Sequence, residues 1–185
     1  MIKTDAVNFR LIIATLFLVG FPQLGLTKNS LAVNTEDLRP FVSGSYQQIQ
    51  KKHQNSEFLV VLWSLDCPPC MTELKHLGEL HQQYPEFKLV LIATDNRDRN
   101  DELQRALTLY GLASVESWGF ADNYIEKLRF EIDNSWYGDL PRSYFFAPQQ
   151  RVIRLRGALA KEKLHTLFKR NSDKNMAAVN GNEPN

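Results

Sequence analysis

Glu57-Phe58-Leu59-Val60-Val61-Leu62-Trp63-Ser64-Leu65-Asp66-Cys67-Pro68-Pro69-Cys70 is the stretch that decides the fold. It reads as a buried strand, a short turn, and two cysteines that open a helix. Phe58 to Trp63 is a continuous apolar run rich in β-branched and aromatic residues, as a strand covered on both faces requires. Asp66 or Cys67 stands where a helix cap is needed. Pro68 and Pro69 fit a first turn, whose amides lack intrahelical partners. From Cys70 the apolar spacing becomes helical: Leu74, Leu77, Leu80 and Tyr84 share a face, and Pro85 ends the run.

Two cysteines at this spacing at a helix start lie on one side, close enough to join. The first sulfur sits where unpaired amides and the helix dipole favour negative charge, so a thiolate at Cys67 is stabilised, and the thiolate is the reactive form. Cys70 is further along and more covered. It suits a resolving thiol, one that attacks a mixed disulfide at Cys67 and releases the partner. Pro68 offers the Cys67 sulfur no amide hydrogen, so it stabilises that thiolate less than a residue with one would.

Working outward toward the N-terminus, Asn55-Ser56 is a turn, Ser43 or Ser45 caps a helix through about His53, and Leu38 to Val42 is an edge strand. Pro40 keeps that strand off a central position. Residues 1–32 read as a separate segment. Lys3 and Arg10 precede an apolar run from Leu11 to Phe21, which Pro22, Gln23 and Gly25 break. This is the outline of a secretory signal, with cleavage after Ser30-Leu31-Ala32; the alternative is an uncleaved membrane anchor extending to Leu26. Either places the domain in the periplasm, a disulfide-permissive space.

Toward the C-terminus, Phe87 to Thr94 is a second buried strand of parallel type. Asp101 to Tyr110 is a helix ended by Gly111. Val115 to Phe120 is a short extended piece of undecided role, and Asp122 or Asn123 caps a helix with Ile125, Leu128 and Ile132 inward. Arg142 to Phe146 and Val152 to Arg156 are strands joined by a hairpin at Pro148-Gln149-Gln150. A last helix spans Ala160 to Phe168. Residues 33–170 thus form one domain, and residues 171–185, polar and apolar-poor, read as a disordered tail. Helices alternating with parallel-type strands, closed by a hairpin and a helix, define an α/β sandwich with a mixed sheet.

Composition excludes some functions. Formal net charge is +1 and basic residues are interleaved with acids, so there is no nucleic-acid footprint. Cys67 and Cys70 are the only cysteines among the 185 residues, so there is no structural disulfide framework. A zinc site needs further ligands, and His53, His76, His81 and His165 are scattered. Covalent haem needs His after the second cysteine, where Met71 stands. No metal or organic cofactor is expected.

Val60 to Leu74, with its Trp-x-x-x-Cys-x-x-Cys block, resembles the thioredoxin-like TlpA/ResA group of thiol–disulfide oxidoreductases. Tyr110-Gly111-Leu112, with the extended piece and helix that follow, is similar to that group's helical insertion. Leu140-Pro141-Arg142-Ser143-Tyr144-Phe145-Phe146 resembles its Pro-Thr-Thr-Phe-Leu-Ile segment. The resemblance spans about Leu38 to Phe168. It implies a thioredoxin-like three-layer α/β/α sandwich with a central mixed β-sheet, and exchange of disulfides with protein partners. By position, Cys67 is the nucleophile, Cys70 the resolving thiol and Pro141 a cis-proline facing them. The Leu140 backbone then pairs with an extended substrate strand. A periplasmic reductant needs electrons from a membrane donor.

The sequence also departs from that pattern. Val61 stands where thioredoxin has a buried acid, and Asp66, directly before Cys67, opposes the thiolate. Ala147-Pro148-Gln149-Gln150 replaces the usual Asp-x-x-Gly hairpin, and Leu140 stands where a smaller residue is usual. Trp63 is core or site wall. Glu73 reads as a surface helix residue, or, turned toward the sulfurs, as an aid to deprotonation of Cys70. Trp118, Trp136 and Tyr137 line a substrate groove or pack in the core, and His76 and His81 face solvent. The competing function is a non-catalytic thioredoxin-fold binding module, such as a Cu(I) metallochaperone holding the metal on both thiolates.

Overall fold

All six residues of β2 (Phe58–Trp63) are buried, and strands pair along both of its edges. The architecture is that of a computed structural model, which describes residues 38–147 and 151–180. In chain order the elements are β1 (Arg39–Phe41), α1 (Ser45–Lys52), β2, α2 (Pro68–Gln83), β3 (Lys88–Ala93), α3 (Asn100–Leu109), β4 (Glu116–Phe120), α4 (Ile125–Ile132), β5 (Arg142–Ala147), β6 (Arg151–Arg156) and α5 (Lys161–Asn180). A short 3₁₀ turn, Arg97–Arg99, leads into α3.

The sheet order is β1-β4-β3-β2-β5-β6. β1, β4, β3 and β2 run parallel; β5 pairs antiparallel with β2, and β6 antiparallel with β5. Alternate residues of β2 face opposite layers, as a strand period of two dictates. Leu59, Val61 and Trp63 join Leu74 and Leu77 of α2, Leu103 and Leu107 of α3, and Leu164 and Phe168 of α5. Phe58, Val60 and Leu62 join Ile49 of α1 and Leu128 and Ile132 of α4. The result is the three-layer α/β/α sandwich that the sequence predicts. β4, undecided from sequence, is the strand that separates β1 from β3.

Several local expectations are corrected. Neither Ser43 nor Ser45 caps α1; Gly44 precedes it with no side-chain cap. Ser45 Oγ instead accepts from the Val42 amide, and Ser43 Oγ donates to Glu131. Neither Asp122 nor Asn123 caps α4; Tyr124 precedes it with no side-chain cap, and Asp122 accepts from the Tyr124 amide. The last helix does not stop at Phe168, because α5 continues to Asn180. Leu164, Phe168 and Asn171 fall on one helical face and are all buried, and Lys174 Nζ reaches Glu57 at 2.6 Å. The expected signal or anchor segment, Pro148-Gln149-Gln150 and residues 181–185 lie outside the described residues. Among the described residues no helix is long and apolar enough to cross a membrane.

Two features place the ends of the helices. Gly111, at φ 71°, turns the chain out of α3, and the Leu112 amide returns to the Leu107 carbonyl at 2.8 Å. Gly78 lets α2 approach that corner, since a Cβ there would lie 1.8 Å from the Tyr110 carbonyl oxygen. On the other face, buried Asp133 ends α4 and ties down the loop that follows. Its Oδ2 accepts from Arg142 Nη2 at 3.1 Å, Tyr144 Oη at 3.2 Å and Arg154 Nε at 3.1 Å. Burial alone would raise the Asp133 carboxyl; hydrogen bonds from Ser135 and Arg142 and the charge of Arg154 outweigh it and hold the group well below the usual carboxylate range.

Arg142 is buried, so removing Asp133 strands a charge in the core. Asp133→Ala is expected to cost about 3–5 kcal/mol at neutral pH in urea unfolding. A loss within the roughly 0–1 kcal/mol of exposed pairs would sink this account. Because the folded-state value is depressed, the Asp133 contribution is present above the unfolded pKa of about 3.9 and is lost as pH falls below it.

Candidate functional site

Cys67 lies at the N-cap of α2 in extended conformation, with φ −117° and ψ 92°. Its Sγ accepts from the Cys70 amide at 3.3 Å, so the cysteine caps its own helix and Asp66 does not. Cys67 and Cys70 form a disulfide with S–S 2.03 Å and Cα–Cα 5.2 Å. Pro68 and Pro69 occupy the first helical positions. Neither has an N–H, so the Cys70 amide is the first donor that the helix can offer the sulfur. Cys67 is 8% exposed and Cys70 is 1% exposed, so an incoming partner reaches Cys67 first.

The loop before Cys67 is held from β3. Asp95, at the end of that strand, accepts from Ser64 Oγ at 3.1 Å and from the Leu65 amide. Asp66 points outward, 78% exposed at its side chain, and pairs with Arg99 Nη1 at 2.8 Å. Arg99 Nη1 also bonds Asp95 at 3.0 Å, and its other nitrogens take Glu102. Trp63 is buried in the same cluster as both cysteines.

The opposite wall comes from β5. The Leu140–Pro141 peptide bond is cis. Leu62 pairs with Arg142, so one step further along this antiparallel register brings Pro141 beside Trp63, where β2 hands over to the cysteine loop. Leu140 is partly buried and packs against the cluster that contains Cys67 and Cys70. Trp136 Nε1 donates to the Asp139 carbonyl at 2.8 Å and so fixes the approach to Leu140.

Glu73 is not a surface residue. It is 1% exposed, one helical turn beyond Cys70, and Ser143 Oγ approaches its Oε1 at 3.5 Å. Burial pushes its carboxyl up to about 7, against the pull of hydrogen bonds from the Leu159 backbone and the Ser143 hydroxyl. Leu74 and Leu77 must face the sheet, and the helical period carries Glu73 inward beside them.

The remaining aromatic candidates separate. Trp118 and Trp136 pack in the core on the α1–α4 side, while Tyr137 is exposed. His76 and His81 are partly buried rather than solvent-facing, and burial holds His81 below its ordinary value. Met71 packs against the core cluster around the cysteines.

No protein-family model matches the sequence. No curated protein matches it either. Solved structures do match in three dimensions. A secreted Mycobacterium tuberculosis disulfide oxidoreductase, homologous to E. coli DsbE, superposes with TM-score 0.52 at 19% identity, covering 65% of this chain and 85% of its own. A thioredoxin-family thiol:disulfide interchange protein from Chlorobium tepidum gives TM-score 0.52 at 17% identity, over 66% and 83% of the two chains. This chain has the thioredoxin fold. The thioredoxin domain of a Bacteroides vulgatus thiol-disulfide oxidoreductase is similar to the same degree, with TM-score 0.52 at 16% identity over 65% and 81%.

Within the thioredoxin fold, the cysteine loop that follows Trp63 and the Leu140–Pro141 bond lie at one end of the sheet. Ser64, Asp95, Arg99 and Ser143 are there too, and sequence reasoning missed them. An acid at the end of a buried parallel strand was a usable signal for Asp95, since sites in such sheets lie at the carboxyl ends of strands. Nothing local marks Arg99.

Glu73 generates a pH signature. Its folded-state value, about 7, lies above the unfolded value of about 4.3. Stability is therefore expected to fall as pH rises between these values, and Glu73→Gln is expected to remove that decline. Urea midpoints of both proteins across the window give the answer; parallel curves would show that the carboxyl is not perturbed.

Proposed function

We propose that this protein is a thiol–disulfide oxidoreductase that exchanges disulfides with protein partners, acting as a reductant in the cell envelope. The observation that carries the reading is the Cys67–Cys70 disulfide at the start of α2, with Cys67 the more exposed of the two and Cys70 covered.

In the reducing direction both cysteines start as thiols. The Cys67 thiolate attacks one sulfur of the partner disulfide; that S–S bond breaks and the departing partner sulfur takes a proton. Cys70, as thiolate, then attacks Cys67 Sγ in the mixed disulfide. The second partner thiol leaves, and Cys67–Cys70 is oxidised by the two electrons the partner has gained. In this reading Glu73, one turn beyond Cys70 and with its carboxyl pushed up to about 7 by burial, takes the Cys70 proton. An extended partner segment pairs with the backbone at Leu140, while the Pro141 carbonyl is already used by the Gly157 amide at 3.0 Å.

The reducing direction follows from Pro68 and Pro69. With two first-turn amides missing, the Cys67 thiolate gains less stabilisation, and a less stable reduced form means a lower potential. Electrons then come from a membrane donor, since an oxidising envelope supplies none. That the M. tuberculosis structural neighbour is a secreted protein supports the envelope location.

The full chain is expected to reduce insulin disulfides with dithiothreitol as electron source. Cys67→Ser abolishes the activity, and Cys70→Ser accumulates mixed disulfides with its partners. Silence in both assays, with Cu(I) retained by the reduced protein, would favour the metallochaperone. The potential is expected on the reducing side of the superfamily; a glutathione titration near about −120 mV would refute that.

A further inference from the structure

We infer that Arg99 is a positioning residue that holds the Asp66 carboxylate away from the Cys67 sulfur and offsets its charge there, keeping Cys67 able to ionise. The inference rests on the exchange reaction proposed above. It starts from a conflict: a carboxylate directly before the nucleophile disfavours its anion. In this site the helix brings little to oppose it, because Pro68 and Pro69 donate nothing and the Cys70 amide serves alone.

The arrangement around Arg99 answers that conflict. Glu102 takes Nε at 3.4 Å and Nη2 at 3.1 Å, which orients the guanidinium plane. Nη1 then faces both Asp95 at 3.0 Å and Asp66 at 2.8 Å. Asp95 has a 3% exposed side chain and separately grips Ser64 and Leu65. Arg99 is thus held by groups other than Asp66, and its fork is pre-set before the Asp66 contact forms. The Asp66 amide meanwhile donates to Ser64 Oγ at 3.2 Å, and Ser64 is itself held by Asp95.

The other charged groups round the sulfur do not replace it. Glu73, on α2, adds negative charge whenever it ionises, and Asp139, before Leu140, directs its carboxylate to Arg142 Nη1 at 3.7 Å. Among the described residues, Arg99 is the cation that contacts the residue adjoining Cys67.

The test is the pH dependence of iodoacetamide alkylation of the reduced full chain, which reads Cys67 because Cys70 is covered. It is run at about 0.01 M and about 1 M salt, where screening lengths are about 30 Å and 3 Å. Below the thiol pKa, Asp66→Asn is expected to raise the Cys67 alkylation rate and Arg99→Gln to lower it. Each change is about two- to fivefold, the scale of a partly exposed pair. Arg99→Lys keeps the charge and is expected to restore most of the rate. Both shifts shrink at high salt.

Shifts in the same direction, shifts indifferent to salt, or an unchanged profile in Asp66→Asn would overturn the inference and leave Arg99 a merely structural clamp. Asp66 is exposed, so its variant decides the matter even if Arg99→Gln does not fold. A wild-type protein that alkylates as expected but exchanges no disulfide would sink the proposed function and not this inference.

Discussion

β2 is bonded along both edges and covered on both faces, and everything at the site depends on where its last residue is placed. Partners on either side leave Trp63 no freedom to shift register, because a slip of one residue would turn Phe58, Val60 and Leu62 into the opposite layer. The chain leaving Trp63 must therefore reach α2 within the short Ser64–Asp66 loop. β5 fixes the other side: its pairing with β2 delivers Pro141 to the same end of the sheet. The cysteine pair and the Leu140–Pro141 bond, far apart in sequence, meet because they continue two hydrogen-bonded neighbours.

Two buried carboxylates on opposite sides of this sheet behave in opposite ways. Asp133 is surrounded by Arg142, Arg154, Tyr144 and Ser135, and stays ionised. Glu73 has a hydroxyl and a backbone amide but no cation, and burial dominates. The first is a fastener: it secures the loop that carries Trp136 and Asp139 toward Leu140. The second holds its proton close to neutrality, one helical turn beyond Cys70. Side-chain type does not separate the two; the charge of the neighbours does.

The start of α2 shows a similar balance of opposing terms. A helix N-terminus favours an anion through its free amides and its dipole. Here prolines remove two of those amides and Asp66 adds a like charge, while Arg99 adds an opposite one. The thiolate at Cys67 is stabilised by less than the motif suggests, and by a different set of groups. In this reading the β3–α3 corner takes on part of a role the helix start has given up.

Much of this was legible from residue order. The two-faced apolar run Phe58–Trp63, the helical spacing after Cys70, and the cysteine pair between them specify a buried strand, a helix and a sulfur at its mouth. These are local properties, since periodicity, capping and proline geometry act within a few residues. Where the local signal was weak, the reading was open or wrong. Val115–Phe120 is a sheet strand because β1 and β3 both bond it, and α5 runs on past Phe168 because Asn171 finds a buried place and Lys174 meets Glu57. The inward turn of Glu73 and the grip of Arg99 on Asp66 belong to the tertiary structure alone. Both join residues from different elements, and the energy of a charge depends on the surroundings that packing brings to it.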